Sequence, residues 1–233
     1  MSLNRDTGVV LVTGASGNLG RAVADAFPGR KLALVDRDQR GLEAVAAGRT
    51  DCLRLACDLL DAAAVQSAVD QVLQRLGPVG VLCNIAGGFR MGEPVHGTGD
   101  DTWEFLLGLN VKSVLHAARA VVPQMLGAGG GAIINVGAAA AARGGANMGA
   151  YAASKSAVAR LTESMAAELR EQGIQVNCVL PTILDTPQNR ADMPQADFSK
   201  WVAPADLAAV IAFLAAPAAR AIHGASIPVS GLS

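Results

Sequence analysis

The chain contains one tyrosine, Tyr151, and it stands four residues before Lys155 in the run Tyr-Ala-Ala-Ser-Lys. Residues 148–169 are rich in Ala, Leu, Glu and Met, which predicts a helix. Residues four apart share one helix face, so the phenol and the ammonium would lie side by side. A neighbouring cation favours the phenolate and would pull the tyrosine's pKa down from its usual value of about 10. A general acid works best with a pKa near the working pH, so the pair has the makings of a proton-transfer device. The same spacing also occurs in ordinary solvated surface pairs, and the elements around it decide between the two.

The first of those elements lies near the N-terminus. Residues 9–12 are a short β-branched run that predicts a buried strand. Thr13, Gly14, Ala15, Ser16, Gly17, Asn18, Leu19 and Gly20 follow, and residues 21–27 predict a helix stopped by Pro28 and Gly29. A strand, a glycine-rich turn and a helix N-terminus together make an anion site, where close backbone approach and open N–H groups suit a pyrophosphate. The glycines are spaced Gly-x-x-x-Gly-x-Gly, not Gly-x-Gly-x-x-Gly. Residues 31–35 predict a second strand, ended by Asp36. An acidic residue there bonds adenosine ribose hydroxyls and repels a 2′-phosphate, which favours NAD over NADP. Arg37 beside it pulls the other way, and a solvated strand-end aspartate is the alternative.

The rest of the chain repeats the pattern. Further strands are predicted at 52–57, 79–84, 132–136, 175–180 and 225–229, and helices at 61–76, 100–125, 148–171 and 204–214. Alternating strands and helices predict a single α/β domain spanning 1–233, with a Rossmann-like, doubly wound parallel sheet and helices on both faces. Ligands bind beyond the carboxyl ends of such strands, where Gly14, Asp36, Asp58, Asn84, Ala138 and Pro181 fall. The one long irregular stretch, 181–203, predicts a lid or substrate-binding loop.

Charge is balanced, with 19 Lys+Arg against 20 Asp+Glu, so nothing points to nucleic acid or an anionic membrane. Cys52, Cys57, Cys83 and Cys178 lack metal-site spacing and are expected as buried free thiols, with no metal bound. Residues 1–7 carry Arg5 and Asp6 and no signal-peptide core, and no uninterrupted apolar stretch of about 18 residues is present, so a cytoplasmic protein is expected.

Taken in order, these pieces resemble the short-chain dehydrogenase/reductase family over nearly the whole chain. The matching pieces are 13–20 as the cofactor loop, Asp58 and Leu59 at the adenine, and Asn84, Ile85, Ala86 and Gly87 after strand four. Asn110, Tyr151 and Lys155 follow, then the 181–186 segment. The resemblance implies that Tyr151 is the acid, that Lys155 supports it and binds the nicotinamide ribose, and that Asn110 holds a water behind Lys155. It also implies that Pro181, Ile183 and Thr186 meet the nicotinamide, with Thr182 where the family has glycine. A homodimer or homotetramer acting on a small-molecule substrate is implied as well, with the 148–171 helix pairing across a two-fold axis rather than only packing on its own sheet.

One departure stands out. Thirteen residues before the tyrosine, where the family carries a catalytic serine, this chain has Ala138. That serine hydrogen-bonds a substrate carbonyl oxygen. Its loss leaves three readings: an inactive protein, a weak enzyme, or a substrate that does not need the serine. The dihydropteridine reductases, a branch of the family, also carry alanine there and resemble this chain over 180–201, which implies NADH-dependent reduction of a quinonoid dihydropterin. Ala138, Phe89 and Pro187 would then line the substrate, with Phe89 either stacking on the ring or covering the core. The alternatives are a generic ketone or 3-oxoacyl reductase or alcohol dehydrogenase, and, in another class, an NAD-binding protein without turnover.

Overall fold

The computed structural model describes residues 4–232; residues 1–3 and 233, and with them part of the N-terminal stretch read above, lie outside the described residues. Seven parallel strands form one sheet in the order β3-β2-β1-β4-β5-β6-β7. They are β1 (Val9–Thr13), β2 (Leu32–Asp36), β3 (Cys52–Ala56), β4 (Val79–Asn84), β5 (Gly131–Val136), β6 (Ile174–Pro181) and β7 (Ser226–Val229). The central strands β1 and β4 are buried along their whole length, as an all-apolar parallel strand covered on both faces must be. The order reverses between β1 and β4, where Thr13 lies opposite Asn84. That switch point opens a crevice above the strand ends.

The covering helices divide into two layers. On one face Leu19, Val23, Leu42, Val45, Leu207 and Ile211 pack on the sheet from α1 (Asn18–Asp25), α2 (Gln39–Ala46) and α8 (Pro204–Ala215). On the other face Val65, Val69, Ala117, Val121, Ala166 and Leu169 do so from α3 (Ala62–Arg75), α5 (Ser113–Gly127) and α6 (Gly149–Leu169). Two further helices, α4 (Asp100–Leu107) and α7 (Pro187–Asp192), flank the crevice.

Several sequence expectations are corrected. The helix expected over 100–125 is interrupted by a π-helical turn, Gly108–Lys112, between α4 and α5. Helix α2 was not foreseen, because it is short and carries Gly41. A Cβ on Gly41 would lie 2.5 Å from both Ser16 Cβ and Asp38 Oδ2, so the helix needs glycine to pack against the loop after β1. Residues 181–203 are not irregular. They contain α7 and a 3-10 turn at Phe198–Lys200, and a parallel bridge joins Leu184 to Val202. Asp185 and Arg190 form a two-bond ion pair at 2.5 and 2.7 Å, and the Arg190 guanidinium lies over the Phe198 ring. By length and composition the run Asp100–Gly127 would suffice to cross a membrane, a stretch the uninterrupted-apolar criterion passed over. Half of its most apolar window is buried, against the sheet and α3. The four cysteines are free, three of them buried and Cys52 half-buried.

Candidate active site

The cofactor loop is shaped by close glycine contacts as well as by side-chain hydrogen bonds. Gly14 has φ +65°, and a Cβ there would sit 2.7 Å from Ala86 Cα, so the loops after β1 and β4 touch. A Cβ on Gly20 would lie 2.2 Å from the Gly14 carbonyl oxygen, so the first turn of α1 closes onto the loop only with glycine. Gly17 caps α1 without a side chain, leaving the first-turn N–H groups at Asn18, Leu19 and Gly20 aimed out of the helix end. These open donors, in a turn brought close by its glycines, fit a dinucleotide pyrophosphate. Asp36 ends β2 with one carboxylate oxygen accepting from Ser16 N (3.0 Å) and the other from Asp38 N (3.1 Å). It is fixed at the loop's edge with its remaining lone pairs open, a placement that could serve ribose hydroxyls, with Arg37 exposed beside it.

Four residues read as cofactor ligands turn their side chains elsewhere. Thr13 is buried, and its Oγ1 accepts from Ile85 N (3.1 Å) and Ala86 N (3.3 Å), stapling β1 to the loop after β4. Asn84 is buried in the sheet and donates to Asn135 Oδ1 at 2.9 Å. Leu19 and Leu59 are core residues. Asp58 is exposed at the end of β3, where its Oδ1 accepts from Leu60 N.

The catalytic candidates meet at the N-terminal end of α6. Lys155 is buried and donates from Nζ to Val136 O at 2.9 Å. Burial depresses its pKa from 10.5 to about 8, with the nearby Cys178 partly opposing. Tyr151 is half-buried, and burial raises its pKa to about 12. The expected lowering of the phenol's pKa by Lys155 is therefore not found in the protein alone. Lys155 is spent on the Val136 carbonyl, and loss of water around the phenol outweighs any attraction. The Phe89 ring shields it further, edge-on to Tyr151 with centroids 4.8 Å apart. More than half of the Phe89 ring surface stays exposed, so it does not serve as a core cover.

Asn110 sits in the π-helical turn, the kind of local insertion common at functional sites. Its Oδ1 accepts from Gly88 N (2.8 Å), and its Nδ2 donates to Gly88 O (3.1 Å) and Ser154 Oγ (2.9 Å). The side chain thus ties the π-helical turn to Gly88 and to α6. Gly87 lies against this cluster, where a Cβ would be 3.1 Å from both Asn110 Oδ1 and Lys155 Nζ. Ala138 is buried in extended backbone after β5, so no side-chain donor occupies the serine position. Pro181 is buried at the end of β6, Ile183 and Thr186 are half-buried and Pro187 is exposed, and the Thr186 hydroxyl caps α7 by accepting from Asn189 N. A cavity of about 260 Å³, lined by Arg90, Met91, Thr102, Asn147 and Met148, opens at the N-terminus of α6. Neither it nor Ser154 was foreseen: Arg90 and Thr102 are remote in sequence, and a lone helical serine gives no signal. Among the described residues no cluster of three or more potential metal ligands occurs.

The family model for short chain dehydrogenase matches residues 8–197. The chain belongs to the short-chain dehydrogenase family. It is 36% identical to the D-threitol dehydrogenase of Mycolicibacterium smegmatis, over 97% of this chain and 92% of that protein. Its fold matches NAD⁺-bound xylitol dehydrogenase with a TM-score of 0.89 and 27% identity, covering 99% of this chain and 100% of the other. It also matches an NADPH-bound short chain oxidoreductase from Pseudomonas aeruginosa PAO1, described as containing an atypical catalytic center. There the TM-score is 0.90 with 28% identity, over 97% and 96% of the two chains. This short-chain dehydrogenase is accordingly an NAD(P)-dependent oxidoreductase with a single Rossmann-like sheet.

Proposed function

We propose that this oxidoreductase interconverts a small secondary alcohol, of the polyol or hydroxyacyl kind, and its ketone. The observation that carries the reading is the joint placement of Tyr151 and Lys155 against the loop after β4, whose Ala86 touches Gly14, in a chain similar to a dehydrogenase named for D-threitol. When bound, the nicotinamide supplies or accepts the hydride. Tyr151 gives its proton to the substrate oxygen during reduction and takes it back during oxidation. A phenol with a pKa near 12 holds its proton firmly, which suits the reductive direction until the bound cofactor and Lys155 stabilise the phenolate. Lys155 presents its ammonium beneath the ribose site. Asn110 fixes the loop carrying Gly88. Ala138 offers no hydrogen bond, so Tyr151 alone meets the developing charge on the substrate oxygen. Asp36, an acceptor pinned by two backbone amides, makes NADH the preferred cofactor. A two-fold symmetric dimer or tetramer, built on α5 and α6, completes the reading.

A second reading is favoured by two particular features. Ala138 removes the carbonyl-polarising group, and the half-exposed Phe89 ring offers a stacking face beside Tyr151. An electron-poor conjugated ring such as a quinonoid dihydropterin needs hydride and a proton but no polarised ketone. The Pseudomonas neighbour, NADPH-bound and described as containing an atypical catalytic center, supports the reading. Steady-state assays decide between the readings, following NAD⁺ reduction with a panel of polyols and NADH oxidation with ketones and quinonoid dihydropterin. The alcohol reading expects turnover on the first two groups, and turnover confined to the pterin overturns it.

A further inference from the structure

Ser154 is wholly buried one residue before Lys155, and its hydroxyl is used twice. It donates to the Tyr151 carbonyl oxygen at 2.8 Å and accepts from Asn110 Nδ2 at 2.9 Å. Asn110 in turn holds both the N–H and the carbonyl of Gly88. Gly88 is pressed on α4, where a Cβ would meet the Phe105 ring at 2.7 Å, so this loop has little freedom of its own. The next residue, Phe89, returns to Tyr151 through the edge-on ring contact. The contacts close a circuit: Tyr151, Ser154, Asn110, Gly88, Phe89 and back to Tyr151. Every link except the hydroxyl of Ser154 is a backbone group, an aromatic face or an amide with all its bonds made. The hydroxyl is the side-chain joint between the helix that carries the phenol and the part of the loop that holds Phe89, beside a separate backbone bond from Gly92 N to Asn147 O at 2.8 Å further along.

We propose that Ser154 is a positioning residue, holding Tyr151 under the Phe89 ring and out of water. The proposal rests on the reading of Tyr151 as the proton-transfer group. A second buried hydroxyl on α6, Thr162, supplies the comparison. It donates to Val158 O at 2.8 Å and accepts from Asn135 Nδ2 at 2.9 Å, tying the same helix to the sheet about three turns away from the phenol.

The test exploits the single tyrosine. Tyrosinate absorbance at 295 nm reports Tyr151 alone, with Tyr151→Phe as the blank and circular dichroism confirming the fold at each pH. In the wild type the signal is expected to stay flat to pH 10, because burial pushes the phenol's pKa up to about 12. Ser154→Ala is expected to move the midpoint towards the ordinary 10.0, so that the signal has risen by pH 10, while Thr162→Val stays flat. A flat trace in Ser154→Ala overturns the proposal. So does an equal rise in Thr162→Val, which would mark general loosening of the helix. Where Ser154→Ala does not fold, Ser154→Cys keeps a weaker donor in place and is expected to move the midpoint part of the way; a wild-type midpoint there overturns the proposal equally. The absorbance needs no substrate. A failed activity panel or a fully active Tyr151→Phe would therefore sink the functional reading without touching this result, and the reverse holds as well.

Discussion

Lys155 makes the protein's stability depend on pH in a way that can be isolated. In the unfolded chain its ammonium titrates near the ordinary 10.5, and in the folded protein near 8. Between those values the unfolded state binds the extra proton, so stability rises as pH increases from about 8 to 10.5 and is lost as pH falls back through 8. At about 1.4 kcal/mol per pH unit the span from 8 to 10.5 is worth roughly 3 kcal/mol, a large share of a domain's net stability. Tyr151 acts in the opposite sense. Its pKa is raised to about 12, so its contribution is present below pH 10 and is lost as pH climbs from there towards 12. Urea unfolding of the wild type and of Lys155→Met, at intervals from pH 7 to 10, separates the lysine from every other group, since groups common to both proteins cancel in the difference. Lys155→Met is expected to be the more stable protein at pH 7 and to lose that advantage steadily towards pH 10. A constant offset is expected as well, because the Val136 carbonyl loses its partner in the variant. A difference between the two proteins that does not change with pH would refute the claim that Lys155 is buried at a cost.

Tyr151→Phe is expected to retain NADH binding and to lower kcat on the order of 10²-fold in steady-state assays. In fluorescence titrations of the unaltered protein NADH should bind more tightly than NADPH; equal or tighter NADPH binding would show that Arg37, not Asp36, governs the ribose site. Ala138→Ser should raise ketone reduction by about 10²-fold, the worth of one well-placed donor to a developing oxyanion. No gain on any ketone, with pterin turnover in both proteins, would favour the conjugated-ring reading. Light scattering at micromolar concentration should give a multiple of 23.6 kDa, and a monomer would end the expectation of a symmetric oligomer.

Strands, layers and the glycine cradle were legible because each rests on local pattern. The β-branched runs at β1 and β4 are buried end to end, and Gly14 and Gly20 stand where a Cβ would strike backbone. Direction was less legible than position. Thr13 and Asn84 were placed at the correct strand ends, yet their side chains turn into the sheet, because which way a strand-end residue faces depends on its neighbour's register. The π-helical turn at Asn110 could not be read, since nothing in Gly-Leu-Asn-Val-Lys distinguishes it from ordinary helix; its cause lies in Gly88 and Ser154, distant in sequence. The phenol's pKa went the wrong way for a related reason. Spacing showed a cation four residues away, but not that Val136 would claim it or that Phe89 would cover the ring.

The chain of amides running from Asn84 to Asn135 and on to Thr162 also limits how the sheet can assemble. Asn84 and Asn135 are directly paired in register across β4 and β5, and Thr162 receives the second amide from above. Apolar strands as uniform as these would tolerate a slip, because valine opposite isoleucine is much like isoleucine opposite valine. A slip of one residue would turn one asparagine to the opposite face and break the Asn84–Asn135 bond, at about 1–3 kcal/mol for each buried group left unpaired. Two polar side chains therefore give a greasy, repetitive interface a single alignment, and with it a single height at which the ends of β4 and β5 can meet the helix that bears Tyr151.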